Sequence, residues 1–464
     1  MRKEYFFVCI SFLFLGGFTK AQYVKLQDLD STHGAYPYGN LLLSGNYLYG
    51  MCSEGGTSGS GTVFSIKTDG TRFAVVLDFN DTNGAGPNGS LILSGDTLFG
   101  MTELGGAMGN GLIFSLTTGG GSYTDMQDFL FTNGANPNAG LISAGNILYG
   151  TTVNGGTDSL GVLFSIHKDG SAFKEIYSFK SNDSSNGTNP NGNLSLEDSL
   201  LFGMTLQGGK NNSGTVFSIK TDGTGYKDLV DFNGSNGSIP YGSLLLSGKE
   251  LFGMVSQGGK YNAGLIFSLL TDGTGFSDLL DFKGRNGQTP IGSLIISGNT
   301  LYGMTSSGGA DSLGVLFSIN TDGTGYQKLF DFNQNSGSIP NGDLTLAGNY
   351  LFGMTSYGGA NGYGVIFSYN LLATGIATNS LPVSYRVYPN PASNEFTIES
   401  DQEGKSILQM YDRAGKLLES QFVYSGKTHI GTDELADGMY FLKVTSHNEV
   451  FNQKLLIFRN SGGK

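Results

Sequence analysis

The chain has no tryptophan, few cysteines and few histidines among its 464 residues. Its two cysteines, Cys9 and Cys52, stand far apart, and the four histidines form no Cys/His set with the spacing of zinc ligands. Without tryptophan the chain also lacks the aromatic platform typical of a quinoprotein. We therefore predict neither a metal nor an organic cofactor.

Charge is sparse, and it is acidic. Asp, Glu, Lys and Arg make up 14% of the residues, and the formal net charge is −12. An acidic protein repels phosphate backbones and anionic headgroups, so we expect no nucleic-acid partner. Glycine is abundant at 75 residues, together with 32 Phe and 23 Tyr. Aromatic side chains that fill a core, with glycines in turns, indicate a folded protein rather than a disordered one.

The first 21 residues have the pattern of a secretory signal peptide. Arg2 and Lys3 precede an apolar segment, 6–18, and Thr19-Lys20-Ala21 supplies a small-x-small cleavage pattern. The apolar run is too short for a permanent membrane span. We predict export and removal of residues 1–21, which leaves Cys52 unpaired as a small buried strand residue.

One sequence pattern recurs seven times, with a period near 50 residues. A Leu-(Tyr/Phe)-Gly triplet, a Phe-Ser pair and a single proline keep the same spacing, except for three extra residues within 180–190. Chance does not phase three residue types together, so these are structural repeats. The triplet glycines are Gly50, Gly100, Gly150, Gly203, Gly253, Gly303 and Gly353.

Each repeat contains four short apolar segments. In residues 242–291 they are GSLLLSG, ELFGMVS, GLIFSLL and GFSDLLDF, separated by a Ser-Gly turn, a glycine-rich loop and an Asp-Gly turn. No repeat shows a sustained helical period. Four antiparallel strands per repeat are typical of a propeller blade. The sequence predicts an all-β fold with a seven-bladed β-propeller of four-stranded blades over residues 22–370.

The two ends of the repeat array complement each other. The seventh repeat stops at VIFSYN, 365–370, without a fourth strand, whereas YVKLQDLD, 23–30, aligns with the fourth-strand segment of another repeat, 226–232. We predict that this N-terminal strand completes the last blade and closes the ring, leaving no free sheet edge. The aromatic residues of the triplets and the Phe-Ser pairs should pack between blades.

Residues after 370 no longer follow the repeat. The sequence predicts a linker at 371–385, a small β-sandwich of short strands at 386–460 and a tail at 461–464. The segments VYPNPASNEFTI, YDRAGKLL and LADGMYFLKV resemble the C-terminal sorting domain of the type IX secretion system of Bacteroidetes. The resemblance implies an immunoglobulin-like sandwich, the type IX machinery as a partner, and delivery to the cell surface or the medium. The matching motif residues are Tyr388, Pro389, Asn390, Pro391, Gly415, Lys416, Gly438, Tyr440 and Lys443.

The repeats are similar to the GloVer tandem repeat of bacterial surface proteins. The shared pattern is G-x-L-x-x-S/A-G-x-x-L-[YF]-G-x-T-x-x-G-G, followed by G-x-[VI]-F-S-I-x-T-D-G-T-G, over residues 23–370. The resemblance implies an architecture and a location, without a settled activity. We expect a monomer.

A ligand site is predicted at the mouth of the central channel, where the long loops share one face. The residue after each periodic proline leads into the innermost strand there. Amide and phenol groups suit sugar hydroxyls or peptide groups, although polar residues at strand ends are the structural alternative. The set is Tyr38, Asn88, Asn138, Asn191, Tyr241, Ile291 and Asn341.

A second candidate is a basic sector in the loops of neighbouring blades. Lys210, Lys260, Lys283 and Arg285 stand where other repeats mostly have small residues, and they would suit an anionic ligand. Scattered surface lysines are the structural alternative.

Two sets of repeated aspartates have simpler explanations than catalysis or metal binding. The Asp-Gly pairs at Asp69, Asp169, Asp222, Asp272 and Asp322 fit hairpin turns, with calcium as the less favoured alternative. The second set recurs in every blade but one, as a structural residue would. Its members are Asp28, Asp78, Asp128, Asp231, Asp281 and Asp331.

Taken together, these features favour a secreted, non-catalytic propeller that binds extracellular glycan or protein, or has a structural role in the envelope. The alternative is a polysaccharide lyase or glycoside hydrolase acting at the channel mouth. Its best candidate residues are Asp183 in the insertion, with Lys210 or Tyr261.

Overall fold

The chain forms seven four-stranded antiparallel sheets followed by one five-stranded sheet. The computed structural model describes residues 22–180, 186–373, 385–388, 392–412, 416–433, 435–446 and 449–457. The chain separates into two compact units, and the larger one comprises Ala21–Ala373. The predicted signal peptide and the candidate Asp183 lie outside the described residues.

The seven sheets share one strand plan, and we number them 1 to 7 along the chain. The first strands are Leu42–Ser44, Ile92–Ser94, Ile142–Ala144, Gly187–Glu197, Leu245–Ser247, Ile295–Ser297 and Thr345–Ala347. The second strands are Tyr47–Cys52, Thr97–Thr102, Ile147–Thr152, Leu200–Gly208, Glu250–Val255, Thr300–Thr305 and Tyr350–Thr355. The third strands are Thr62–Lys67, Leu112–Thr117, Val162–His167, Thr215–Lys220, Leu265–Leu270, Val315–Asn320 and Val365–Asn370. The fourth strands of sheets 1 to 6 are Ala74–Asp78, Thr124–Asp128, Lys174–Ser178, Lys227–Asp231, Ser277–Asp281 and Gln327–Asp331.

The fourth strand of sheet 7 comes from the other end of the chain. Tyr23–Asp28 pairs with Val365–Asn370, and Tyr23 lies opposite Tyr369. The Tyr23 ring also stacks on Phe330 of sheet 6 at a centroid distance of 4.3 Å. The N-terminal strand therefore completes the last sheet, as the sequence predicts.

Apolar cores lie between neighbouring sheets rather than within them. The second and third strands are buried on both faces, and the Phe-Ser phenylalanines Phe64, Phe114 and Phe217 are fully buried. Each sheet shares one cluster of buried side chains with the next, and Leu41 and Leu48 of sheet 1 pack with Phe352 and Met354 of sheet 7. Seven sheets with seven shared cores form a closed ring, which fits the predicted seven-bladed propeller.

The repeated aspartates brace the ring. In sheet 2 the carboxylate of Asp128, at the end of the fourth strand, accepts a hydrogen bond from the backbone N–H of Ala107 in the glycine-rich loop, at 2.8 Å. The same bond recurs in every sheet, with Ser178 in place of aspartate in sheet 3. The structural interpretation of this set is confirmed.

The Asp-Gly turns are closed by their own side chains. Asp222 accepts hydrogen bonds from the backbone N–H and the hydroxyl of Thr224, at 2.8 and 2.7 Å. The side-chain bond to Thr224 lowers the pKa of Asp222, and the backbone bond adds to the effect. These turns account for the repeated aspartates without a metal ion.

The C-terminal unit is a strongly curled sheet. Its strands are Tyr385–Tyr388, Glu395–Tyr411, Leu417–Gly431, Gly438–Ser446 and Glu449–Ile457. The backbone N–H of Ala392 donates to the carbonyl of Leu456 at 2.8 Å, so the start of the unit meets its last strand around a core that includes Phe396 and Leu442.

Two details of this unit differ from the sequence prediction of short strands. Glu395–Tyr411 has 17 residues and Leu417–Gly431 has 15. The two strands pair from Glu395 to Ser400 and again from Lys405 to Tyr411, and the register shift between Ser400 and Lys405 absorbs the apparent break in the pattern. The described strands make one continuous sheet, so the division into an immunoglobulin-like sandwich stays a prediction.

Candidate functional site

A ring of small residues, one from each sheet, runs around the central channel. They follow the seven candidate residues directly, and each of the six glycines among them presents its Cα to the carbonyl of the residue at the same position in the next sheet. A Cβ on Gly39 would collide with the carbonyl oxygen of Gly89, and a Cβ on Gly342 would collide with that of Gly39, which closes the circle. The members are Gly39, Gly89, Ala139, Gly192, Gly242, Gly292 and Gly342.

The next residue links neighbouring sheets through hydrogen bonds in most of the repeats. The backbone N–H of Asn193 donates to Ser243 Oγ at 2.7 Å, and that of Ser243 donates to Ser293 Oγ at 2.7 Å. Ser293 in turn donates to Asp343 Oδ1 at 2.6 Å. The backbone N–H of Asn40 donates to Ser90 Oγ at 3.1 Å in the same way. These side-chain oxygens tie neighbouring sheets together around the channel.

All seven residues predicted after the periodic prolines line one cavity of about 300 Å³ at this ring. That volume is at the small end of the range of ligand pockets. The structure thus brings together Tyr38, Asn88, Asn138, Asn191, Tyr241, Ile291 and Asn341. Both polar atoms of the Asn191 side chain already have partners within the protein: Nδ2 donates to the Tyr241 carbonyl at 2.7 Å, and Oδ1 accepts from Asn138 at 3.0 Å.

Three asparagines next to the small-residue ring each have a buried side-chain oxygen that receives no hydrogen bond from the described protein atoms. They are Asn40, Asn88 and Asn341. The amide of Asn341 is fixed, because its Nδ2 donates to Ser356 Oγ at 3.0 Å while that hydroxyl donates to the Pro37 carbonyl. The amide of Asn88 is fixed by its donation to the Glu103 carboxylate at 2.5 Å. A buried acceptor left unpaired costs about 1–3 kcal/mol, which a ligand that supplies donors would recover.

The charge around the cavity is negative. Asp343 is the one carboxylate among its lining residues, which include no Lys, Arg or His. Burial raises the pKa of Asp343, although its hydrogen bonds to Ser293 act in the opposite direction. Burial likewise raises the pKa of the neighbouring Glu103, and it raises that of Tyr38 to about 12. The cavity therefore offers acceptors and one partly desolvated acid.

The predicted basic sector lies apart from this cavity. Lys210 is bound to Asp231, with Nζ 3.1 Å from the carboxylate, and the ammonium of Lys260 lies 5.4 Å from the centre of the Tyr261 ring. None of Lys210, Lys260, Lys283, Arg285 and Tyr261 is among the residues that line it. Cys52, as predicted, is fully buried, and burial raises the pKa of its thiol.

The sorting-motif residues that the structure describes have structural contacts. Tyr440 is buried and its hydroxyl donates to the Ala436 carbonyl at 2.7 Å, while Gly438 begins a strand. The Tyr388 hydroxyl donates to Glu399 at 2.9 Å, and the Lys416 N–H donates to Asp412 at 2.9 Å. Lys443 lies in the strand Gly438–Ser446. Pro389, Asn390, Pro391 and Gly415 lie outside the described residues.

Two features of the site were not predicted from the sequence. One is the side chain three positions after the periodic proline in six of the seven repeats, and the other is a group of tyrosines where sheets 7 and 1 meet. Asn40, Ser90, Asn193, Ser243, Ser293 and Asp343 stand three residues after the periodic prolines, so the same spacing contained them. Their role needs the curvature of the ring, which places side chains 50 residues apart in hydrogen-bond contact.

Comparison with protein families places both units. Residues 17–205, 127–269 and 189–386 match the Gloeobacter/Verrucomicrobia repeat. The chain belongs to this repeat family. Residues 386–458 match the secretion system C-terminal sorting domain, so this repeat protein is secreted to the cell surface or the extracellular space. In the part of the chain that the structure describes, no helix is long and apolar enough to cross a membrane.

Individual relatives are distant. Ulvan lyase from Nonlabens ulvanivorans is 34% identical over 76 residues, which is 16% of the repeat protein and 14% of the lyase's own length. A structure of oligogalacturonate lyase in complex with manganese aligns with a TM-score of 0.50 and 11% identity, over 75% of the repeat protein and 93% of the lyase. The polysaccharide lyase Uly1 aligns with a TM-score of 0.45 and 11% identity, over 76% and 94%. At these identities the structural likeness shows the fold alone.

Proposed function

We propose that the repeat protein is a secreted, non-catalytic seven-bladed β-propeller that binds an extracellular glycan at the mouth of its channel. In this proposal residues 1–21 are a signal peptide, 22–370 the propeller, 371–385 a linker, 386–460 an immunoglobulin-like sorting domain and 461–464 a tail. The protein acts as a monomer. The type IX secretion machinery is its partner during export.

The unpaired acceptor oxygens around the cavity support the proposal most directly. Asn88 and Asn341 line the cavity and have buried side-chain oxygens without a hydrogen bond, and Tyr241 adds an aromatic side chain that is 36% exposed. Sugar hydroxyls supply the donors that these oxygens lack, and an aromatic ring packs against the apolar face of a pyranose. A cavity of about 300 Å³ suits one or two sugar units of a longer chain.

The electrostatics of the cavity argue against the lyase alternative. Lyases that act on uronates must receive carboxylate groups, but the lining contains an acid, Asp343, and no basic side chain. The candidate catalytic residues Lys210 and Tyr261 lie outside the lining. The match to ulvan lyase covers too few residues to span the ring. The hypothesis of a polysaccharide lyase or glycoside hydrolase remains the alternative, and release of oligosaccharide products would support it.

The proposal is tested by applying the purified full-length protein to an array of neutral, amino and acidic glycans. We expect binding that Tyr241→Ala weakens by about two- to tenfold, since an aromatic contact contributes about 0.5–1.5 kcal/mol. The Tyr241 backbone, which accepts from Asn191, is kept in this variant. Tyr261→Ala is the matched control, because Tyr261 is exposed in a loop outside the cavity.

Binding that survives Tyr241→Ala and Asn341→Ala unchanged would place the site elsewhere. If the protein binds none of the glycans on the array, the proposal that its ligand is a glycan is refuted. Shortened or unsaturated oligosaccharides released from any array member would favour the enzyme instead.

A further inference from the structure

Four tyrosines meet at the seam between sheets 7 and 1, beside the cavity. The ring of Tyr36 lies 4.9 Å from that of Tyr357, at an interplanar angle of 50°, and 5.6 Å from that of Tyr363, at 69°. The fourth, Tyr38, lines the cavity itself, and its pKa is raised by burial and by the nearby Tyr357. We call this group the tyrosine seam. Its rings are inclined to one another, and Tyr38 connects the group to the cavity.

No other seam of the ring has this composition. The residues equivalent to Tyr36 are Gly, Asn, Ile or Thr, and those equivalent to Tyr357 are Glu, Leu, Asn, Gln or Ser. The residues equivalent to Tyr363 are Ser, Asn, Leu or Ala. Tyr38 has one tyrosine counterpart, Tyr241. Because the shared fold tolerates all of these, the ring does not need tyrosine at this place for its stability.

Backbone hydrogen bonds hold the tyrosine seam in place. The N–H of Tyr36 donates to the Tyr363 carbonyl at 3.1 Å, and the Tyr36 carbonyl accepts from the N–H and the hydroxyl of Ser53, at 3.2 and 2.8 Å. Tyr357 exchanges two backbone bonds with Ser338. The aromatic surface is thus preorganised, which lowers the entropy lost on binding.

One exposed acidic residue, Glu54, lies next to the tyrosine seam. Glu54 pairs through its backbone with Ala35, directly before Tyr36, and its side chain is exposed. Among the described residues no ion pair involves Glu54 or Asp343. The unpaired Asn341 oxygen lies on the same side of the cavity, in sheet 7. Aromatic faces next to unpaired carboxylates attract organic ammonium groups.

We propose that the tyrosine seam and Glu54 form a subsite for a hexosamine unit with a free amino group. The sugar face packs on the tyrosine rings, and the protonated amine is directed to the side of Glu54. This inference rests on the proposed glycan binding and specifies which glycans are selected: those with unacetylated amino sugars.

The test compares a glucosamine hexamer with an N-acetylglucosamine hexamer, by calorimetric titration into the full-length protein at mildly acidic pH. We expect the first to bind at least about tenfold tighter, since a cation over aromatic rings beside an acid contributes about 1–2 kcal/mol. Glu54→Gln should remove most of this preference, because it lowers the affinity for the glucosamine hexamer far more than the affinity for the acetylated hexamer. Gln occurs at the equivalent positions Gln207 and Gln257, so the substitution fits the fold.

A combined variant tests the aromatic surface with residues taken from other repeats: Tyr36→Asn, Tyr38→Asn, Tyr357→Gln and Tyr363→Ser. It should lose roughly tenfold or more in affinity for the glucosamine hexamer while its melting temperature stays close to that of the parent. Tyr261→Asn, which reproduces Asn211 and Asn361 of the equivalent loops, is the matched control and should bind normally.

Several outcomes would overturn the inference and leave the proposed function standing. They are equal binding of the two hexamers, a preference that survives Glu54→Gln and the combined variant, and array binding confined to glycans without amino groups. Binding of an oligolysine peptide as tight as that of the hexamer would also overturn it, because the subsite would then recognise protein amines. Absence of all glycan binding would refute the proposed function itself.

Discussion

The backbone N–H of Ser293 donates a hydrogen bond of 2.6 Å to the carboxylate of Asp343 across the boundary between sheets 6 and 7. A serine hydroxyl or, from Gly140 to Asn193, an asparagine amide oxygen accepts the equivalent bond between several other sheets. A neutral side chain is therefore sufficient for the ring, and the carboxylate adds charge that the scaffold does not need. Buried acids of this kind lower stability, so they are retained mainly where function requires them.

The substitution Asp343→Asn should stabilise the protein at neutral pH. Burial raises the pKa of Asp343 in the folded state, so the folded state holds the proton more tightly than the unfolded one. Stability is then lost as the pH rises above the ordinary carboxyl range, near pH 4. Asparagine keeps the acceptor for Ser293 and cannot ionise. We expect a higher melting temperature at pH 7 and little difference near pH 3, measured by thermal unfolding at both values.

Asp322→Asn is the control of opposite sign. Hydrogen bonds to Thr324 lower the pKa of Asp322, so its ionised form favours the folded state above the ordinary carboxyl range and that contribution disappears as the pH falls. No stabilisation is expected from this change at pH 7. Equal behaviour of the two variants would show that Asp343 is not held in a desolvated position.

The bond between Asp128 and the Ala107 N–H should be measurable as stability. Asp128→Ala leaves that N–H without its partner, and a hydrogen bond to a charged group contributes about 1.5–3 kcal/mol. Asp128→Ser should recover most of the loss, since Ser178 makes the same bond in sheet 3 at 2.8 Å. Denaturant unfolding of the three proteins checks this. Equal losses for both variants would contradict the brace.

A single methyl group should disturb the small-residue ring. In Gly242→Ala the added Cβ would collide with the carbonyl of Gly292, and overpacking of this kind costs about 1–3 kcal/mol. The matched change is Ala139→Gly, which removes the one methyl group that the ring contains and should be nearly neutral. Unfolding midpoints and the glycan affinity of both variants provide the measurement. A neutral Gly242→Ala would mean that the ring is wider than the structure shows.

Closure of the ring by the N-terminal strand can be tested at Tyr23. Its ring stacks on Phe330 and its hydroxyl donates to the Ser336 carbonyl at 2.5 Å. Tyr23→Ala should lower the free energy of unfolding by about 2–3 kcal/mol through lost packing, and Tyr23→Phe by about 1 kcal/mol through the lost hydrogen bond. Comparable small losses for both would indicate that this strand contributes little to the closed ring.

The repeats made the fold predictable because each one states the same strand pattern. The period located the four strands, the unmatched fourth strand predicted the pairing of Tyr23–Asp28 with sheet 7, and the prolines located the channel mouth. The long strand Glu395–Tyr411 was missed because a register shift within it looks like a turn in the sequence.

The details of the site could not be predicted in this way. The shared pattern of the repeats does not predict what residues that differ from it will do. The tyrosine seam consists of such residues, some of them more than 300 positions apart, and they meet only because sheet 7 packs against sheet 1. The three unpaired asparagine oxygens likewise depend on which donors surround each amide in the folded ring.

Hydrogen exchange with and without the glucosamine hexamer tests the account most directly, because it locates the ligand without a mutation. If the hexamer binds at the tyrosine seam, amide exchange should slow in peptides that contain residues 36–40, 341–343 and 357–363, and it should be unchanged in the loops that carry Lys210 and Tyr261. Protection centred on those two loops, or no protection at saturating hexamer, would contradict binding at the tyrosine seam.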